Sequence, residues 1–146
     1  MADSLNAYIN DKFGIDSKDI RTYSPLTLAY IGDVVFDLVI RSVLVNRGNT
    51  AVNNLHKKAS AIVKAPTQAA IAAAIMEDMT EEERDVFRRG RNSKPHTKAK
   101  NASTIEYLEA TGFEAVMGYL YLQGNTDRAM ELIKLGVDRA GLSDNL

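Results

Sequence analysis

Two carboxylates in this chain sit in settings where acids are uncommon. Asp33 lies within LAYIGDVVFDLVIR, residues 28–41, and Glu114 within ATGFEAVMGYLYL, residues 110–122. On a helix the stripe neighbours of Asp33 are Ala29, Tyr30, Phe36 and Asp37; those of Glu114 are Ala110, Thr111, Met117 and Gly118. A helix that is apolar on nearly every side is expected to be buried, and an isolated buried carboxylate needs a cation, strong donors or a proton. Each acid also has a glycine on its own helix, Gly32 beside Asp33 and Gly118 one turn after Glu114. Glycine inside a helix costs about 1 kcal/mol relative to alanine, so both positions are expected to mark close backbone approaches. Crossing the two helices there would bring Asp33 and Glu114 together. Two facing carboxylates with no basic residue within a turn of Glu114 would make an oxygen-ligand site for a hard divalent cation, with magnesium and its retained waters the best match. The competing reading keeps both acids structural, satisfied by an arginine from elsewhere or by backbone donors, with the glycines as packing devices.

A second feature is a concentration of positive charge. The formal net charge is -1, yet from Arg84 to Lys100 seven basic residues face one acid, Asp85. The chain is therefore locally basic on an acidic body. Such a segment is either a solvated charged loop or a surface that meets phosphates. The two histidines, His56 and His96, have no glutamate three residues before them, which argues against a four-helix metal-oxidase bundle. A non-catalytic helical RNA-binding module would use the basic segment and leave the two acids idle.

The elements that must position these groups read as helices, with almost no strand signal. With 146 residues the chain fits one domain, residues 1–146, large enough for its own core. Cysteine is absent, which excludes disulfides, thiolate catalysis and cysteine zinc sites. No leader-like N-terminus or spanning apolar run is present, so a soluble, cytoplasmic protein with no membrane partner is expected. SLNAYINDKF follows a Ser cap, and Pro25 opens a long helix over 25–46. Then come AVNNLHKKASAIVKA, PTQAAIAAAIMEDM, and TEEERDVFRRGR with a Thr80–Glu83 capping box. Residues 91–102 read as a polar loop, followed by a second long helix stopping at Gly124 and an amphipathic closing helix.

LAYIGDVVFDLVIR resembles the signature helix of ribonuclease III domains, and TGFEAVMGYLYL resembles the second acidic motif of that family, in the right order. LHKKAS and RGRN add a likeness to the small Mini-ribonuclease III subgroup, and the resemblance covers about Pro25 to Gln123. It implies an all-α ribonuclease III fold, a homodimer, and magnesium-dependent endonucleolytic hydrolysis of double-stranded RNA, with the large-subunit (23S) ribosomal RNA precursor as substrate. Asp33 and Glu114 match the family's catalytic, metal-holding positions. Other acidic positions of the family fall here on Leu26, Ala29 and Thr111, which leaves few protein ligands; the Thr111 hydroxyl could serve a metal-bound water. Asp37 is expected to be solvated or to approach the metal from outside its ligands. RNA contact is expected from Arg88, Arg91, Asn92, Lys94, Lys98 and Lys100, with Lys57, Lys58 and Lys64 as a second basic edge. No separate RNA-binding domain follows residue 146 in this chain, so the catalytic domain is expected to supply the affinity itself.

Overall fold

The computed structural model describes residues 4–93 and 102–146. Over these residues the chain forms seven α-helices and short 3-10 turns, with no strand. Helix α1 spans Leu5–Lys12, α2 Pro25–Asn46, α3 Val52–Val63, α4 Ala65–Ile75, α5 Glu81–Arg91, α6 Ala102–Leu122 and α7 Thr126–Arg139. The caps lie where the residue types place them. The Ser4 and Ser24 hydroxyls accept from the backbone amides of Ala7 and Thr27, and Thr80 and Glu83 form a reciprocal capping box. Gly124, at φ 75°, takes the left-handed turn that ends α6. Arg91 closes α5 and so belongs to a helix, which shortens the polar loop expected from residue 91.

Helix α6 is the central element and packs against α2, α4, α5 and α7. Its core side chains include Phe113, Val116, Met117 and Leu120, all nearly inaccessible to water. Phe113 meets Phe36 of α2 edge to face, with centroids 5.1 Å apart. Helices α3 and α4 form a bent pair broken at Lys64, whose extended backbone interrupts the helical run. The first turn of α4 satisfies carbonyls at the end of α3: Thr67 Oγ1 donates to Ala61 O at 2.7 Å, and Gln68 Nε2 donates to Val63 O at 2.7 Å. Among the described residues no single helix is long and apolar enough to cross a membrane.

Helix α7 is tied to the start of α5 by an ion pair whose carboxylate is buried and whose guanidinium is partly exposed. Arg128 donates through Nε to Glu83 Oε2 and through Nη2 to Glu83 Oε1, each at 2.9 Å, and Nη2 also reaches Asp78 O at 2.8 Å. Glu83 thus serves its own cap and receives a two-pronged guanidinium contact from a distant helix.

Candidate active site

The two long helices cross where the glycines are. A Cβ built on Gly32 would stand 1.7 Å from the Glu114 carbonyl oxygen, and one on Gly118 would stand 1.9 Å from the Leu28 carbonyl oxygen. Neither position can hold a larger residue unless α2 and α6 separate. The crossing sets Asp33, the residue after Gly32, beside the turn of α6 that carries Glu114. The expected meeting of the two acid-bearing helices is therefore present, at backbone contact.

The expected burial of Asp33 is not. Asp33 is exposed, and Glu114 is half-buried. Helix α2 packs by one side against α6, with Leu28, Phe36 and Ile40 in the core, while Leu26, Tyr30, Val34, Leu38 and Val45 face outward. Apolar composition on every side did not mean burial on every side, because the described residues cover only one side of α2. The consequence for Asp33 is direct. An exposed carboxylate needs no structural cation, and none of the ion pairs among the described residues involves it. Its neighbour Asp37, by contrast, is paired with Arg41 Nε at 3.0 Å along the same helix.

Glu114 has a partner that sequence reading passed over. Gln68 of α4, 2% exposed, donates Nε2 to Glu114 Oε2 at 3.2 Å while also bonding Val63 O. Because both partners are acceptors, the amide nitrogen must face them. Gln68 Oε1 is then buried with no hydrogen-bond partner among the described residues. An unpaired buried acceptor costs about 1–3 kcal/mol. The signal was available as a lone amide in an alanine-rich helix, PTQAAIAAAI, where an apolar residue would otherwise pack.

Thr111, on the position where the family pattern has an acid, is buried and donates its hydroxyl to Tyr107 O at 3.0 Å. With that proton engaged, it can act toward a further group only as an acceptor. Among the described residues no three His, Cys, Asp or Glu side chains gather closely enough to hold a metal ion by themselves. Asp33 and Glu114, one from each crossing helix, are hard oxygen donors, and such donors would suit a divalent cation like magnesium, which keeps most of its waters and takes one or two protein carboxylates plus phosphate oxygens.

The basic residues divide between elements. Arg88 is exposed on α5 and ion-paired with Asp85, within a groove that also holds Arg21, Glu81, Glu82 and Arg89. Arg91 is half-buried and Asn92 exposed at the end of α5, which is pressed against α6 at Gly90: a Cβ there would stand 2.8 Å from Ala115 Cβ. Lys57, Lys58 and Lys64 are exposed on α3 and at its end, as is His56. Lys94, Lys98 and Lys100, with His96, lie outside the described residues.

Residues 26–125 match the ribonuclease III domain. Among curated relatives, a Mini-ribonuclease 3 of Symbiobacterium thermophilum is 47% identical over 117 residues, spanning 80% of this chain and 90% of that protein. A Mini-ribonuclease 3 of Clostridium tetani is 46% identical over 122 residues, 83% of this chain and 81% of that one. A Mini-ribonuclease 3 of a Thermoanaerobacter species is 40% identical over 137 residues, 94% and 96% of the respective lengths. A crystal structure of a protein from Fusobacterium nucleatum superposes with a TM-score of 0.71 at 34% identity, covering 84% of this chain and 98% of that one.

Proposed function

The chain belongs to the ribonuclease III family, in its Mini-ribonuclease III branch, and on that premise we propose that the crossing of α2 and α6 is its catalytic metal site, built from Asp33 and Glu114. The protein is an endoribonuclease of the ribonuclease III type. The observation that carries the assignment of the site is Asp33 itself: an exposed carboxylate without an ion pair among the described residues, one residue from the point where α2 touches the Glu114 backbone.

A bound magnesium ion would supply Lewis acidity for the attacking water and for the phosphate under attack. What the chain supplies is position. Asp33 and Glu114 hold negative charge at the junction of two helices whose backbones are in contact, so their separation cannot drift without unpacking the core. Neither acid needs to move a proton, and no histidine is needed. Arg88, Arg91, Asn92, Lys57, Lys58 and Lys64, joined by Lys94, Lys98 and Lys100, are proposed to meet the phosphates and 2′-hydroxyls of an A-form duplex, which proteins read by shape. The RNA proposed is a structured precursor, and family resemblance favours that of the large ribosomal subunit; the compartment would then be the cytoplasm.

Cutting both strands takes two sites, and a homodimer would provide them. The uncovered face of α2 supports this. Leu26, Tyr30, Val34 and Leu38 recur at four-residue steps and are 40%, 80%, 60% and 54% exposed, a continuous apolar stripe on the helix that also carries Asp33. A second copy seated there would place the two sites along one valley.

The test is cleavage of a long labelled RNA duplex with magnesium or chelator, by the wild-type protein and by Asp33→Asn. Cleavage that needs both the ion and the carboxylate supports the proposal. Cleavage by Asp33→Asn at the wild-type rate removes Asp33 from the mechanism.

A further inference from the structure

Gln68 is the residue at this crossing that stability alone does not explain. It is buried to 2% exposure in a helix whose other inward residues, Ala69, Ile71, Ala72 and Ile75, are apolar. Its Nε2 divides between a backbone acceptor, Val63 O at 2.7 Å, and the carboxylate of Glu114 at 3.2 Å. Its Oε1 stays unpaired among the described residues. Capping α3 would account for the first bond only, and Thr67 already donates to a carbonyl of that helix end. The second bond and the unpaired oxygen follow if the amide is there for Glu114.

Resting on the reading of Glu114 as a metal ligand, we propose that Gln68 is a positioning residue for that carboxylate. The bond to Val63 O fixes the amide, and the amide holds Glu114 Oε2. One carboxylate oxygen is thereby kept against α4, which sets the direction in which the group would meet a cation. A neutral donor suits this role: a lysine or arginine at the same place would neutralise the carboxylate and weaken its pull on a cation, whereas an amide orients it and leaves its charge intact. Three helices thus contribute to the site. Helix α2 brings Asp33, α6 brings Glu114, and α4 sets the direction in which Glu114 points.

The test compares Gln68→Met, which fills the same volume without a donor, and Gln68→Asn, which keeps the amide but is too short to bridge Val63 and Glu114. Binding of manganese to the RNA-free protein is followed by the loss of its free-ion resonance signal, and melting is measured in chelator. We expect a manganese dissociation constant raised about tenfold in both variants, as is typical when a ligand loses its outer hydrogen-bonding partner. The magnesium needed for half-maximal duplex cleavage should rise by the same factor, with the rate at saturating magnesium restored. Folded variants that bind manganese as wild type does, whatever their melting temperature, would overturn the proposal and leave Gln68 a cap of α3. A variant that fails to fold is bypassed by the wild-type protein: the Gln68 side-chain amide resonances should shift on magnesium addition and stay put in Glu114→Gln, and an unmoved amide in wild type is the contrary result. Should Glu114→Gln bind manganese as wild type does, the metal-site reading itself fails. If it loses binding while the Gln68 variants keep it, only the role of Gln68 fails.

Discussion

Glu83 and Asp33 are acids of opposite kinds. Glu83 is 4% exposed and spends its charge within the chain, on two nitrogens of Arg128 and on the amide of Thr80. Asp33 is exposed and spends its charge on no ion pair among the described residues. The first acid holds α7 onto α5; the second stands where α2 meets α6 with nothing structural to do. A carboxylate whose partner is built into the fold serves stability; one without such a partner among the described residues is, on the proposed reading, kept for a ligand from outside. Burial alone would have ranked the two the wrong way round.

The largest effect that could break this contrast belongs to Asp33→Asn. Duplex cleavage should fall by well over about a hundredfold, the upper range for losing a mere outer partner of a metal ligand, while stability stays within about 0.5 kcal/mol because the site is exposed. Next comes Gly32→Ala, which sets a methyl group into the Glu114 carbonyl and should cost roughly 3 kcal/mol or more in denaturant unfolding. Arg128→Met sharpens the other side: Glu83 is left buried without its cation, so stability should fall by about 2–3 kcal/mol, less than for a fully buried pair because Arg128 keeps some exposure, and cleavage below the melting range should be retained. Acid should act through the same pair. Burial raises the proton affinity of Glu83, but hydrogen bonds from Arg128 and from Thr80, with the guanidinium charge, outweigh it and hold the carboxyl below the usual glutamate range. The stability this contributes is complete above the unfolded-state pKa of about 4.3 and is lost as pH falls through the depressed folded value. Melting followed from neutral pH into acid should therefore drop less steeply in Arg128→Met than in wild type. The smallest effect is expected from reversing Arg91 and Lys94, which should weaken duplex binding and lower its salt slope by roughly 1 for each phosphate no longer neutralised; an unchanged slope would make the basic segment a bystander.

The helices were legible because their punctuation is local. Pro25, Thr80 with Glu83, and Gly124 each state a boundary within a few residues, and all three hold. The crossing was legible too, since a mid-helix glycine is costly unless another backbone needs its space, and Gly32 and Gly118 show that close approach. Exposure of Asp33 was not legible, because an apolar stripe such as Tyr30, Val34 and Leu38 reads identically whether its cover is the chain's own core or a second molecule. Gln68 was missed for a related reason. A lone amide in PTQAAIAAAI marks the position as unusual, but its partners lie five residues and 46 residues away, so the local pattern does not say what the amide bonds. The same holds for Glu83, whose capping box was readable while Arg128, 45 residues on, was not.

The central claim is that the charge at the α2–α6 crossing is reserved for a ligand and the charge at Glu83 for the fold. The most direct test is the single-turnover rate of duplex cleavage in saturating magnesium, measured for Asp33→Asn, Glu114→Gln and Arg128→Met below the melting range of all three. The first two should be folded and inactive, and the third less stable and as fast as wild type. A cleaving Asp33→Asn, or an Arg128→Met that stays folded and loses cleavage, would contradict the division.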